Sequence, residues 1–266
     1  MALDQQRKGE LFRDLHRGEP FVIPNPWDAG SAKVLEALGF KALATTSSGF
    51  AFTLGRRDGA APLEDLADHV RRIDRATRLP VSVDLENGRG AAPEAAARAI
   101  ALAAAAGAVG GSIEDWDSDA GIYPIERSVD RVAAACEAAR SLDFPFMVTA
   151  RAENHIRGVR DLDDTIARLQ AYERAGADVV YAPGLRGTDE IRAVCQAVEV
   201  PVNVLAYPGV TVREIADAGG QRISVGGSLT WTAADALISA AEQIRDHGDF
   251  SGLASPKRLL ELLEPR

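Results

Sequence analysis

Four acidic side chains, Asp58, Asp84, Glu86 and Glu114, fall where short apolar, β-branched runs end or in the loops that follow them. Asp84 and Glu86 are two residues apart on an extended run and so face the same side. Carboxylates gathered in one low-dielectric mouth repel one another and need protons or a cation to coexist. Oxygen-only donors suit a hard divalent ion: Mg2+ first, which takes one or two carboxylates and keeps several waters, with Mn2+ as its substitute. The competing reading of any one of these acids is a helix cap or an ion pair with a neighbouring Arg. Arg151 closes another such run, with Glu153 just beyond it. Its guanidinium can grip a substrate carboxylate in bidentate fashion or balance the acids. A structural pair with Glu153 or Glu114 is the alternative. In the segment Ser47-Ser48-Gly49-Phe50, Gly49 allows main-chain N–H groups to approach an anion. A plain turn is the commoner meaning of that pattern.

Something must bring these positions together. Eight strand-like runs, at residues 21–25, 41–46, 80–86, 109–115, 144–151, 177–183, 201–206 and 222–227, alternate with helical patterns. The helices are expected near 28–38, 62–78, 93–106, 125–141, 161–175, 188–198, 211–218 and 230–246, with a ninth near 256–264. Such alternation implies parallel strands with helical crossovers, and eight repeats suggest a closed (β/α)8 barrel. The runner-up, an open doubly wound sheet, lacks a GxGxxG after the first strand. Without a linker or low-complexity segment, 1–266 reads as one barrel domain with a C-terminal helical extension. In a barrel of this kind chemistry collects at the C-terminal ends of the strands, where all of the residues above lie.

Composition narrows the class. Of 266 residues 46% are hydrophobic and 26% charged, as in a soluble globular protein. A net charge of −9 disfavours nucleic acid as a partner. The longest weakly apolar run is too short to span a bilayer, and two cysteines, Cys136 and Cys195, make no disulfide framework. The expectation is a cytoplasmic protein without a membrane or nucleic-acid partner.

The segments NPWDAGSAKVLEALGFKALATTSSGFAFTLGRRDG, VSVDLENGRG, SIEDWDSDAG, VTARAEN and PVNVLAYPG resemble, in order and spacing, the isocitrate lyase / phosphoenolpyruvate mutase superfamily from about residue 20 to 240. The resemblance implies a barrel whose last helix is swapped between partners, giving a homodimer or homotetramer. It implies Mg2+ held mainly by Asp84, with Asp58, Glu86 and Glu114 acting largely through water. Ser48, Gly49 and Phe50 match the segment whose amides hold the substrate carboxylate. Arg151 matches the arginine on the substrate or its enolate, and Asn203 a position near the substrate in the lyases. The chemistry implied is cleavage of a carbon–carbon bond in a small 2-oxo or 2-hydroxy di- or tricarboxylate, such as a substituted malate, oxaloacetate or a methylisocitrate-like acid, through a metal-bound enolate. The alternatives are P–C bond chemistry of the phosphoenolpyruvate mutase or phosphonopyruvate hydrolase type, and a non-catalytic barrel that binds 2-oxo acids.

The chain departs from the family in its lid. Residues 115–124, DWDSDAGIYP, lack the Lys-x-Cys-Gly-His core of the isocitrate and methylisocitrate lyases and the longer lid of the P–C enzymes. Tyr207 matches the strand-7 tyrosine of the oxaloacetate decarboxylase branch, but Gly227 stands where that branch has a histidine. The acid or base is therefore sought among Tyr207, Tyr123 and His155, with Glu153 as a candidate base. Trp116 and Tyr123 could close over a small substrate. His16, His69 and His247 are expected at the surface.

Overall fold

The computed structural model describes residues 4–59 and 61–264; the outermost residues of the 1–266 domain expectation, 1–3 and 265–266, lie outside it. The chain begins with helix α1 (Gln5–Leu15), strand β1 (Phe21–Ile23), α2 (Ala29–Ala37), β2 (Leu43–Ala44), α3 (Ser47–Thr53), α4 (Leu63–Ala76), β3 (Val81–Asp84), α5 (Pro93–Ala105) and β4 (Gly110–Glu114). A two-stranded hairpin, β5 (Trp116–Asp117) and β6 (Gly121–Ile122), precedes α6 (Ile125–Arg140) and β7 (Met147–Arg151). Then follow α7 (Leu162–Arg174), β8 (Val179–Tyr181), α8 (Thr188–Ala197), β9 (Val202–Leu205), α9 (Val212–Asp217), β10 (Arg222–Ser224), α10 (Ser228–His247) and α11 (Lys257–Leu263).

Eight of the strands pair in parallel in the order β1-β10-β9-β8-β7-β4-β3-β2. The remaining seam, between β1 and β2, is bridged where the Ala44 N–H donates to the Pro24 carbonyl at 3.1 Å. Asn25 staples it further. Its amide donates to the Thr45 carbonyl, and its oxygen accepts the Val225 and Gly226 N–H groups, each at 2.9 Å. The sheet is thus a nearly closed (β/α)8 barrel, as the alternation predicts. Each expected strand is present but shorter at one or both ends. The helices start at expected signals: Pro62 and Pro124 are N-caps, and Pro93 is the first residue of α5.

The core between barrel and helices is built from residues such as Val83, Ile100, Ile113, Val148, Leu169, Val180 and Ile191. A second cluster seals the N-terminal end. There Phe12 of α1, fully buried, packs on Ile23, Val109, Met147 and Val179. This helix has no counterpart among the elements expected from sequence. Gly9 makes its docking possible, since a Cβ there would lie 2.3 Å from the Pro145 carbonyl oxygen. Lys8 ties it down through Asp74 at 2.6 Å.

Two further departures concern the C-terminal mouth. Residues 47–50, read as a flexible turn, open α3 instead, because the Thr46 hydroxyl caps the Gly49 N–H. Residues 115–124 are not an open loop but carry the hairpin, whose turn is held by Asp117 accepting the Asp119 and Ala120 N–H groups. At the other end of the chain, α10 buries only Thr230 and exposes Trp231, Leu237 and Ile238. Its successor α11 packs on α2. Among the described residues no helix is long and apolar enough to cross a membrane.

If the α1 plug is integral to the barrel, Phe12→Ala should cost about 3–5 kcal/mol of unfolding free energy, as large aromatic truncations in cores do. Chemical denaturation reads this as a lower midpoint at unchanged slope. An unmoved midpoint would make α1 an ornament.

Candidate active site

Arg151, the last residue of β7, stands opposite Glu114 of β4 and Tyr181 of β8 in the strand register. Its Nη1 donates to Asp84 Oδ1 at 2.9 Å, its Nη2 lies 3.2 Å from Glu114 Oε2, and Nη2 and Nε both reach Glu153 Oε1, at 2.6 and 3.0 Å. Burial alone would lower its pKa, but Glu153, Asp84 and Glu114 together hold the guanidinium well above its ordinary value. Glu153 is fully buried and has a second partner in Arg157, 3.0 Å away. Arg157 in turn lies over the Trp116 ring at 3.4 Å, which fastens the hairpin to the strand-β7 loop.

Asp84 receives the Ser47 N–H on Oδ2 at 3.2 Å, while its own N–H is held by the Thr45 hydroxyl. Beyond it the backbone turns sharply. Glu86 takes φ +50° and Arg89 φ +58°, a conformation side chains adopt rarely and at a cost. The Arg89 guanidinium reaches Glu86 at 2.6 Å and the Gly59 carbonyl at 2.5 Å, so it ties the strand-β3 loop to the loop carrying Asp58.

A cavity of about 170 Å3 opens at this end of the barrel, lined by Asp58, Asp84, Arg151, Ser47, Ser48 and Tyr181 among others. A second cavity of about 560 Å3 adjoins it under the hairpin, lined by Asp58, Glu86, Glu114, Trp116, Arg151 and Arg157. Asp58 lines both cavities, Asp84 the first, and Glu86 and Glu114 the second. Burial, and then Asp84, push the Glu86 carboxyl up to about 7 even with Arg89 beside it. Burial also drives Glu114 well above the usual carboxylate range, against the pull of Arg151. Both are carboxyls whose charged form a neighbouring guanidinium offsets only in part.

That donor set fits a hard divalent cation. The donors are oxygens, and two of them are carboxyls whose ionised form burial disfavours. Among the described residues no three His, Cys, Asp or Glu side chains form a ready cage. An ion that keeps most of its waters and takes one carboxylate directly matches that spacing.

The other expected positions divide. Ser48 lines the mouth, as does Asn203 deeper in the barrel. Gly49 does not: its N–H goes to Thr46, and its Cα is wedged where a Cβ would meet Thr46, Thr230 and Trp27 at 2.6–3.0 Å. Phe50 is buried and stacks on His69 at 4.1 Å. Tyr123 is buried beneath the hairpin, its hydroxyl between Asn87 at 3.2 Å and Asp117 at 3.4 Å. The Tyr207 hydroxyl accepts the Gly187 N–H at 2.9 Å, outside both cavities. Both hydroxyls have partners in the surrounding loops, Tyr123 beneath the hairpin and Tyr207 as an acceptor that keeps its own proton. His155 is buried and lines neither cavity. His16 and His69, expected at the surface, are buried instead. Burial lowers their pKa values to about 3 and about 4, so both imidazoles are neutral.

Two lining residues carry no signal in the sequence reading. Tyr181, at the end of β8, lies with its ring 5.3 Å from the Arg151 guanidinium. Arg222, the first residue of β10, is buried and donates to Asn203 Oδ1 at 2.8 Å and Thr149 Oγ1 at 2.9 Å. A lone tyrosine in an apolar run reads as core, and an arginine after Gly-Gly-Gln reads as surface. Only the register brings them into line with Arg151 and Asn203.

The family model for phosphoenolpyruvate phosphomutase matches residues 12–245. The chain belongs to the phosphoenolpyruvate mutase / isocitrate lyase superfamily. Within it, a crystal structure from Burkholderia cenocepacia described as a candidate lyase/mutase shares 50% identity, with a TM-score of 0.93 over 97% of this chain and 95% of that one. An oxaloacetate decarboxylase of Bradyrhizobium sp. is 30% identical over 94% of this chain and 87% of its own. A phosphonopyruvate hydrolase solved with oxalate and Mg2+ is 25% identical, with a TM-score of 0.85 over 98% of this chain and 95% of that one.

The raised Glu86 carboxyl makes a pH prediction for the metal-free protein. Below about pH 4.5 Glu86 is protonated folded and unfolded; between there and about 7 only the unfolded chain loses the proton, so folding stability falls as pH rises. Glu86→Gln should flatten that part of the stability curve, read by denaturant titrations at several pH values. An unchanged slope would mean that Glu86 is ionised throughout.

Proposed function

We propose that this protein is a Mg2+-dependent carbon–carbon lyase acting on a small 2-oxo or 2-hydroxy di- or tricarboxylate. The observation that carries the reading is Arg151, a half-buried guanidinium at the mouth of the barrel, hydrogen-bonded to Asp84 and facing a small hydroxyl-lined cavity. The similarity to an oxaloacetate decarboxylase over most of both chains supports it.

Asp84 would hold the ion directly, with Glu86, Glu114 and Asp58 reaching it through water. When bound, the ion supplies Lewis-acid stabilisation of negative charge on substrate oxygens. The chain's own part is positional. Ser47 and Ser48 present hydroxyls to a carboxylate at the wall of the cavity. Arg151, fixed by three carboxylates, needs no reorganisation to meet an oxyanion as it develops. Glu153 keeps that guanidinium in place, and Arg157 with Trp116 covers the approach and excludes water. In this reading the protein is a single barrel domain over 1–266, resides in the cytoplasm and does not partner nucleic acid. It forms a homodimer or homotetramer by exchange of α10, whose exposed Trp231, Leu237 and Ile238 would be covered by a second copy.

P–C bond chemistry is the second reading, supported by the likeness to the phosphonopyruvate hydrolase. Substituted malates, oxaloacetate and phosphonopyruvate, each incubated with protein and Mg2+, separate the two. Pyruvate or glyoxylate release from a carbon acid supports the first, and phosphate from phosphonopyruvate the second. Activity should vanish on chelation and return with Mg2+. Arg151→Lys should lower kcat/KM by about 100–1,000-fold, the usual loss for one fixed oxyanion donor. No release from any of these compounds, with oxalate still bound, would leave a binding protein.

A further inference from the structure

We infer that Tyr181 is the proton donor to the enolate carbon, set in the mouth cavity beside a hydrogen-bonded row that runs from Arg222 through Asn203 to Ser224. The inference rests on the lyase reading above and supplies the acid that the lid does not.

Tyr181 lines the mouth cavity beside Asp84 and Arg151, and no other phenol does so among the described residues. The strand register sets Arg151, Tyr181, Asn203 and Arg222 on adjacent strands as successive partners. Arg222 has donors only. Its Nε takes Asn203 Oδ1 at 2.8 Å, so the Asn203 amide nitrogen must point away, and it donates to Ser224 Oγ at 3.0 Å. Ser224, already an acceptor there, has its own O–H left to give, and the Tyr181 hydroxyl lies within its reach. The donors from Arg222 to Ser224 thus run one way, and a Ser224 O–H turned to the phenol oxygen would leave the Tyr181 proton for the cavity.

The charged surroundings agree. Arg222 has no carboxylate partner among the described ion pairs; its other contacts are the Thr149 hydroxyl and His16 Nε2 at 3.5 Å, and His16 is neutral. Burial pushes the Tyr181 hydroxyl up to about 12, with Arg151 pulling it down and Glu153 raising it, so the group enters the reaction protonated.

The step balances. Cleavage leaves the electron pair of the broken C–C bond in the enolate. The Tyr181 O–H bond breaks, its proton forms the new C–H bond with the enolate π pair, and the enolate oxygen returns to a carbonyl. The phenolate is met by the Ser224 O–H and the nearby Arg151 guanidinium, and it recovers a proton from water once product has left.

The test uses full-length protein with Mg2+ and pyruvate in deuterated water, following loss of the methyl signal by proton NMR. Tyr181→Phe should slow this exchange by about 100-fold or more, the usual share of a general acid, with oxalate affinity by calorimetry within about 3-fold of wild type. Exchange by Tyr181→Phe at the wild-type rate overturns the assignment while leaving the lyase reading intact. Ser224→Ala keeps the phenol but removes its donor. It should lower the exchange rate about 10-fold at unchanged KM, and it decides the matter if the Phe variant does not fold: an unaltered rate overturns the assignment. Wild-type protein that neither cleaves the substrate panel nor exchanges pyruvate removes the lyase reading and Tyr181 with it.

Discussion

One guanidinium organises this mouth. Arg151 is half-buried among Asp84, Glu114 and Glu153, groups supplied by three separate turns of chain. Burial first, and neighbouring carboxylates after it, raise the Glu86 and Glu114 carboxyls above their usual range. Carboxyls crowded in this way favour a divalent cation, and Glu153, Asp84 and Glu114 hold the Arg151 guanidinium well above its ordinary value. The neighbouring hairpin depends on the same residue at one remove, through Glu153, Arg157 and Trp116.

The barrel wall was legible in the sequence because its strands are short β-branched runs separated by strong helix starts and stops. The α1 plug was not. Only Phe12 of its residues is a buried apolar side chain, and the helix docks through Gly9 and Lys8, neither of which looks like core. The Ser-Ser-Gly segment suggested a turn, but Thr46 supplies an N-cap and turns the same residues into α3. A local cap outweighed the flexibility of one glycine.

The site was legible where charge had to be explained and opaque where hydrogen bonding did the explaining. Asp84, Glu86, Glu114 and Arg151 stood out as charges at the ends of buried strands. Tyr123 and Tyr207 drew attention as aromatics near the mouth, yet their hydroxyls are engaged by Asn87 and Asp117 and by the Gly187 N–H. Tyr181 and Arg222 matter only because the stagger of a closed sheet places residues far apart in sequence in one row. No periodicity within a single strand can reveal that.

Gly227 lies at the start of α10, against the segment that lines the mouth. A Cβ placed on it would fall 2.6 Å from Ser48 Oγ and 2.7 Å from the Trp231 indole. A side chain placed at this position would have to displace both neighbours. Ser48 would have to turn away and Trp231 swing out in the same event. A residue larger than glycine at 227 would therefore reshape the wall of the mouth and the exposed face of α10 together.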